Sequence, residues 1–234
     1  MIARFPSSAA AIRRAAPLVA AFAVVWLGCS IAAGASRDVL WRIVSECLDA
    51  STPEYCARCL SPIEGVCGDR GCAKTVQVWA ETPEYVAIRD IKMCGCPAGF
   101  VHGLALPRSR ITGVEDPRRP AGIWPFAWRA AQTRIADEGQ IALVVNPPGL
   151  QRTQDQLHVH LVRLAAGAHR QLAARSPART ASLEEVWDVA AASAAARGLA
   201  DYGVLVARDD TEAGYWVLVE PFSPEGQFTV GLCQ

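Results

Sequence analysis

The run RTQDQLHVHLVR, residues 152–163, predicts a central strand of the fold and contains the residues most suited to chemistry. One residue separates His158 from His160, and the apolar residues around them are Leu157, Val159, Leu161 and Val162. This alternation predicts a half-buried strand, whose successive side chains point to opposite faces. Both imidazoles therefore project from one face, where they can share a reaction or a metal. The alternative is a pair of exposed histidines at a sheet edge.

The segments around this strand predict an α+β fold with a mostly antiparallel sheet and helices packed on it. Residues 141–145 are continuously apolar, and the turn Asn146-Pro-Pro-Gly149 leads from that predicted strand into the histidine strand. These two strands are expected to pair with each other. Further strands are predicted from Thr75, where Val76 and Val78 alternate, and at 84–90, 100–107, 202–207 and 215–220. Helices are predicted at 38–50, 123–137 and 182–197. Residues 163–179 are expected to be partly helical.

The charge balance argues against one class of partner. Lys and Arg together number 23, as do Asp and Glu, so the formal net charge is zero. A nucleic-acid partner is not expected, because no excess of positive charge is available to neutralise many phosphates.

The N-terminus predicts a membrane segment. Arg13 and Arg14 precede an uncharged, mostly apolar run at 15–36, which is long enough to span a bilayer core. Residues 1–14 are then cytoplasmic and 37–234 lie outside the cytoplasm. A signal peptide cleaved after Ala33-Gly-Ala35 and a lipid attached to Cys29 are the alternatives, and both also export the chain.

The cysteines agree with export. Eight of them follow the apolar run: Cys47, Cys56, Cys59, Cys67, Cys72, Cys94, Cys96 and Cys233. In an oxidising compartment an even set predicts disulfides, although the sequence does not give their connectivity. A structural zinc site at Cys56-x-x-Cys59 and Cys94-x-Cys96 is the alternative.

Three chemistries suit two histidines on one strand face: metal binding, general acid–base catalysis and nucleophilic attack on phosphorus. No metal is expected, because neither His102 nor His169 stands at a recognisable ligand spacing. The residues upstream favour attack on phosphorus. Arg152 and Thr153 suit phosphate oxygens, and Asn146 suits sugar hydroxyls.

At this level of detail the chain resembles a known family. The run RTQDQLHVHLV resembles the signature of the histidine triad superfamily, His-φ-His-φ-His-φ-φ after an Asn-bearing turn. Within that superfamily, the arginine, threonine and glutamine before the histidines resemble the CDP-diacylglycerol pyrophosphatase family. Other shared features are Glu46-Cys47, Leu106-Pro107, Arg110-Ile-Thr-Gly113, the Trp-containing helix and the late YGVLVAR strand. The resemblance covers 38–234, apart from a cysteine insertion near 56–80.

The resemblance implies roles for individual residues. His158 matches the central histidine and is expected to be the nucleophile, and His160 matches the third and is expected to support the phosphate and the leaving group. Gln156 stands where the first histidine is expected, a departure that leaves an amide able to hydrogen-bond. Asn146 and Thr153 match the ribose and phosphate contacts. Arg152 is expected to contact the phosphate because of its positive charge, and not because of the resemblance.

The resemblance also implies the activity and its setting. The expected enzyme is a CDP-diacylglycerol diphosphatase of phospholipid metabolism, which releases CMP and phosphatidate through a cytidylyl-histidine and needs no cofactor. Its expected fold is a HIT-like, mostly antiparallel sheet with packed helices at 37–234, with a cysteine-rich insertion at about 51–80 and a preceding transmembrane helix. It is expected on the periplasmic side of a bacterial inner membrane, with monomer and homodimer both open.

Two alternatives to this activity remain. One is a hydrolase or transferase of another nucleotide diphosphate conjugate. The other is a non-catalytic membrane-tethered scaffold, suggested by Gln156 and the cysteine insertion.

Overall fold

The computed structural model of the chain describes residues 36–47, 77–93, 96–149 and 152–233. Within Ser36–Gln234 these form one compact unit. The predicted membrane segment, apart from Ser36, and most of the cysteine insertion lie outside the described residues. Among the residues that are described, no helix has both the length and the apolar character needed to cross a bilayer.

An eight-stranded sheet forms the centre of the fold. Its strands are β1 (Val78–Glu81), β2 (Tyr85–Arg89), β3 (His102–Pro107), β4 (Ile141–Val145), β5 (Val159–Arg163), β6 (Ala178–Thr180), β7 (Gly203–Arg208) and β8 (Tyr215–Glu220). The order across the sheet is β1-β2-β3-β5-β4-β7-β8-β6, and every neighbouring pair is antiparallel. The predicted α+β class is confirmed, as is the pairing of the histidine strand β5 with β4.

Four of the five described helices lie within predicted segments, with shorter bounds, and the last one, which begins at Glu225, was not predicted. The five are α1 (Val39–Arg42, continued by a wider turn at Ile43–Cys47), α2 (Ile123–Gln132), α3 (Ala168–Ala174), α4 (Val186–Ala196) and α5 (Glu225–Phe228). The prediction that α2 extends to Asp137 was wrong. Its last turn closes when the Thr133 hydroxyl donates to the Ala130 carbonyl at 2.7 Å, and Ile135 then turns into the core. The short strand β6 was not predicted.

Both faces of the sheet are covered. On one face, α2 and α4 pack against strand residues that include Val159, Leu161 and Val206. Trp124 and Trp128 are buried in this layer, as helical spacing predicts for core residues. The opposite face carries two separate apolar clusters, one under α3 and α5 and one under α1. This division leaves a polar gap between the two clusters.

The candidate site occupies that gap. Residues of β3 and β5 alternate between the faces, so His102, Leu104 and His160 share the face with the gap. In the antiparallel register His160 pairs with Leu104 and His102 pairs with Val162. His102 and His160 are therefore diagonal neighbours on adjacent strands, with ring centroids 5.3 Å apart.

The C-terminal segment returns to the same region after β8. Its helix α5 begins at Glu225, and Thr229 forms an isolated bridge with Leu164 beyond the end of β5. A disulfide joins Cys233 to Cys96, with Cα atoms 5.6 Å apart. This bond confirms the prediction of disulfides for two of the eight cysteines.

Candidate active site

His158 lies one residue before β5 and has its ring fixed by the backbone. Its Nδ1 lies 2.7 Å from the carbonyl oxygen of Gln156, which can only accept, so Nδ1 carries the proton. The lone pair is then on Nε2. Burial lowers the pKa of His158 below its ordinary value, which keeps the imidazole neutral at neutral pH. A neutral ring with a free Nε2 is the form that a nucleophile requires.

The side chain of Gln156 closes the turn before β5 onto the end of β3. Its amide nitrogen donates to the carbonyl of Pro107 at 2.9 Å and to that of Ser109 at 2.8 Å. The side chain is buried, and both of its N–H groups are thereby used. The Gln156 side chain therefore fixes its own backbone, including the carbonyl that binds His158, against the end of β3.

His160 belongs to a hydrogen-bonded group with Asn146, Ser223 and Glu225. The Asn146 amide nitrogen lies 3.3 Å from His160 Nε2 and donates to Glu225 Oε2 at 3.0 Å. The Ser223 hydroxyl donates to Asn146 Oδ1 at 2.6 Å. The two histidines predicted to act together are also in contact, with the ring centroids of His158 and His160 4.9 Å apart.

His102 forms the second part of the site, between two carboxylates. Its Nδ1 lies 2.9 Å from Asp90 Oδ2, and its Nε2 lies 2.9 Å from Glu225 Oε1. Lys92 donates to the same Glu225 oxygen at 2.6 Å and lies 3.3 Å from His102 Nε2. Because carboxylates only accept, both nitrogens of His102 carry protons, and the ring is a cation.

Two of the buried histidines, His102 and His160, have pKa values shifted in opposite directions. Burial opposes the charge of His102, but the carboxylates of Asp90 and Glu225 outweigh it and raise the pKa of His102. For His160, burial lowers the pKa well below its ordinary value, and the nearby Glu225 charge recovers only part of that shift. Burial also raises the pKa of Glu225, yet its hydrogen bond to His102 and the surrounding positive charges bring that pKa far below its usual range.

Asp90, His102 and His160 are also the one group of three that comes close to a metal-ligand arrangement within the described residues. One ligand atom from each lies within 4.8 Å of the others. Both His102 nitrogens, however, already face carboxylates, and the Lys92 ammonium stands beside them. A doubly protonated imidazole offers no lone pair, and a neighbouring ammonium repels a metal cation. These donors fit a hydrogen-bonded network better than a metal centre.

Arg152 and Thr153 lie in the turn that precedes Gln156. The Arg152 guanidinium is buried and forms a bidentate pair with Glu115, at 2.8 and 2.6 Å, and Thr153 is exposed. The positive charge of Arg152 contributes to the lowered pKa of His158, although burial is the larger cause. The structure thus places a fixed cation in the electrostatic surroundings of His158.

Five residues of the site were not predicted from the sequence: Asp90, Lys92, His102, Ser223 and Glu225. His102 stands alone in the sequence, and only the pairing of β3 with β5 brings it to His160. The available signal was that His102 is the one polar residue of the otherwise apolar strand HGLALP. The register with β5 places it on the same face as His160. For Glu225 the sequence offers no signal, because a single short turn after β8 positions it.

Comparison with known proteins gives the family of the chain. A sequence search of curated proteins found no significant match. The family model described as CDP-diacylglycerol pyrophosphatase matches residues 35–191, more than half of the chain and the part that contains His102, Asn146, His158 and His160. The chain belongs to the CDP-diacylglycerol pyrophosphatase family.

Proposed function

We propose that this protein hydrolyses CDP-diacylglycerol to CMP and phosphatidate, with His158 as the nucleophile. The observation that carries the proposal is the state of His158: its Nδ1 is bound to the Gln156 carbonyl and its pKa is lowered, so that a neutral Nε2 is available. Family membership supports the choice of substrate.

The proposed reaction has two steps. Nε2 of His158 attacks the cytidine-side phosphorus, the bond from that phosphorus to the bridging oxygen breaks, and phosphatidate leaves with the bonding electron pair. Water then attacks the same phosphorus, the P–N bond breaks with its electron pair returning to Nε2, and one proton of the water passes to solvent. The products are CMP and a neutral His158.

The surrounding residues stabilise charge on the phosphoryl oxygens in this proposal. Thr153 supplies a polar contact to these oxygens and Arg152 supplies a fixed positive charge. His160 supports the phosphate side by packing against the His158 ring, with ring centroids 4.9 Å apart. Asn146 contacts the ribose hydroxyls. Gln156 stands at the first position of the triad and orients His158. Its backbone carbonyl accepts from His158 Nδ1, and its side-chain amide holds the turn by donating to two backbone carbonyls.

A membrane setting suits this substrate. The disulfide between Cys96 and Cys233 is typical of domains outside the reducing cytoplasm. We propose that the domain has the HIT-like form expected from the triad and acts on the periplasmic side of a bacterial inner membrane. The segment at 15–36 would hold it near the lipid headgroups.

Hydrolysis in water enriched in heavy oxygen tests which phosphorus is attacked. Mixed micelles of CDP-diacylglycerol and detergent are incubated with the full-length chain, and the products are separated by mass. The proposal predicts heavy oxygen in CMP and none in phosphatidate, and the reverse distribution would contradict it. His158→Ala should lose turnover, whereas His169→Ala, a histidine bound to the Gly139 carbonyl, should keep it.

The same assay separates the alternatives. Preferential turnover of a different nucleotide diphosphate conjugate would identify a hydrolase or transferase of that conjugate. A folded chain with no turnover of any such substrate would favour a non-catalytic scaffold.

A further inference from the structure

Glu225 lies outside the residues covered by the family match, yet it connects the two parts of the site. Its Oε1 faces His102 Nε2 at 2.9 Å and Lys92 at 2.6 Å. Its Oε2 accepts from the Asn146 amide at 3.0 Å and lies 3.6 Å from His160 Nδ1. One carboxylate from the C-terminal segment thus links side chains of β3, β5 and the turn after β4.

We propose that Glu225 is a positioning residue, which fixes the tautomer of His160 and the charge of His102, so that the segment 221–233 completes the active site. The kinetic part of this inference rests on the proposed function. The structural part concerns only the protonation of the histidines and can be tested without substrate.

The tautomer of His160 follows from what each atom can donate. Glu225 Oε2 can only accept, so the group of Asn146 that faces it is the amide nitrogen. The second N–H of this amide is available to His160 Nε2, 3.3 Å away, which then accepts. A neutral imidazole that accepts at Nε2 carries its proton on Nδ1, the nitrogen nearest Glu225.

The charge of His102 depends on the same carboxylate. Asp90 and Glu225 supply two negative charges, and Lys92 and His102 supply two positive ones, so the group is neutral as a whole. A neutral amide in place of Glu225 would leave an excess positive charge in a buried place, and His102 would release its proton. The group faces the uncharged rings of His160, in β5, and of His158, one residue before β5, and Arg152 contributes a more distant positive charge.

Several contacts hold Glu225 in this place. A side-chain carbon added to Gly203 would lie 2.8 Å from Pro224 and 2.9 Å from Pro147, so glycine lets the segment pass close to the turn after β4. The hydroxyl of Thr229 donates to the backbone carbonyl of Glu225 at 2.7 Å. The disulfide at Cys233 ties down the end of the segment.

Kinetics of Glu225→Gln give the first test. The variant keeps the shape of the side chain and removes its charge. We expect kcat for CDP-diacylglycerol to fall about 10- to 100-fold with little change in KM, because misplaced groups slow the chemical step more than binding. Asp209→Asn is the matched control, since it removes another buried carboxylate at the far end of β7 and should keep kcat. An unchanged kcat in Glu225→Gln would overturn the proposal.

Nitrogen-15 NMR of the histidine rings gives the second test, and the chain has only four histidines to assign. In the unaltered full-length chain at neutral pH we expect both His102 nitrogens to be protonated and His160 to be the Nδ1–H tautomer. In Glu225→Gln we expect His102 to be neutral. Ring signals that are the same in both proteins would overturn the proposal, even if the chain had no activity on CDP-diacylglycerol.

If the Glu225→Gln variant does not fold, Glu225→Asp tests the positioning role instead. It keeps the charge but withdraws the carboxylate by one methylene, so His102 should stay charged while kcat falls. Wild-type kcat in a folded Glu225→Asp protein would contradict the positioning role.

Discussion

The ring centroids of His102 and His160 lie 5.3 Å apart, edge to face, yet His102 is charged and His160 is neutral. His102 lies between the carboxylates of Asp90 and Glu225, which raise its pKa, whereas burial of His160 lowers its pKa. The charged histidine of the site is therefore His102, in β3. His158 and His160 remain neutral, which leaves on His158 the free lone pair that a nucleophile needs.

His102→Gln should destabilise the protein most at acidic pH. Because the pKa of His102 is raised on folding, its stabilising contribution is fully present below the unfolded pKa of about 6.5 and is lost as pH rises through the folded pKa. We expect a loss of about 3–5 kcal/mol in the free energy of unfolding near pH 6, since two buried carboxylates lose their partner. Denaturant titrations check the value, and the loss should shrink at alkaline pH. An equal loss at both pH values would contradict the charged state of His102.

Gln156→Ala should cost both stability and turnover. Removing the amide leaves the carbonyls of Pro107 and Ser109 without their buried donor, at about 2–4 kcal/mol in the free energy of unfolding. The carbonyl that holds His158 should also shift, which lowers kcat. Gln154→Ala, two residues earlier and less buried, is the control. Equal stability of the two variants in thermal unfolding would show that the Gln156 side chain does not hold this turn.

A double-mutant cycle on Arg152 and Glu115 separates catalysis from loop stability. If Arg152 stabilises charge in the transition state, Arg152→Ala should lower kcat about 10-fold or more in the wild type and also in Glu115→Gln. Steady-state assays of the four proteins measure this. If Arg152→Ala has no effect on kcat once Glu115 is neutral, Arg152 only anchors the loop.

Removing the disulfide should weaken the C-terminal part of the site. Cys96 and Cys233 are 137 residues apart in sequence, so the bond closes a long loop and should contribute up to about 4–5 kcal/mol. The Cys96→Ser, Cys233→Ser double variant should show a lower Tm and a lower kcat, because the segment that carries Glu225 loses its tie. A lower Tm with unchanged kcat would mean that the remaining contacts hold Glu225 without the disulfide.

Much of the fold followed from local sequence patterns. A strand can be predicted when its own residues show a recognisable hydrophobic pattern. Such patterns occur around His158 and His160, in β4, and in the hairpin of β7 and β8. The short strand β6 lacks such a pattern, because it has only three residues and gains its hydrogen bonds from β8.

The site was predictable only as far as it is local. His158, His160 and Asn146 lie close together in sequence, on two paired strands joined by a turn. Asp90, His102 and Glu225 reach them through strand register and a late turn, which no local pattern specifies. Glu115, the partner of Arg152, was missed for the same reason.

Trapping the covalent intermediate shows whether His158 is the nucleophile. The full-length chain is mixed with CDP-diacylglycerol labelled at the cytidine-side phosphorus, the reaction is quenched with alkali within one turnover, and the labelled peptide is identified by mass spectrometry. The account predicts an acid-labile cytidylyl group on His158 and none in His158→Ala. A label on another residue, or full turnover by His158→Ala, would contradict it.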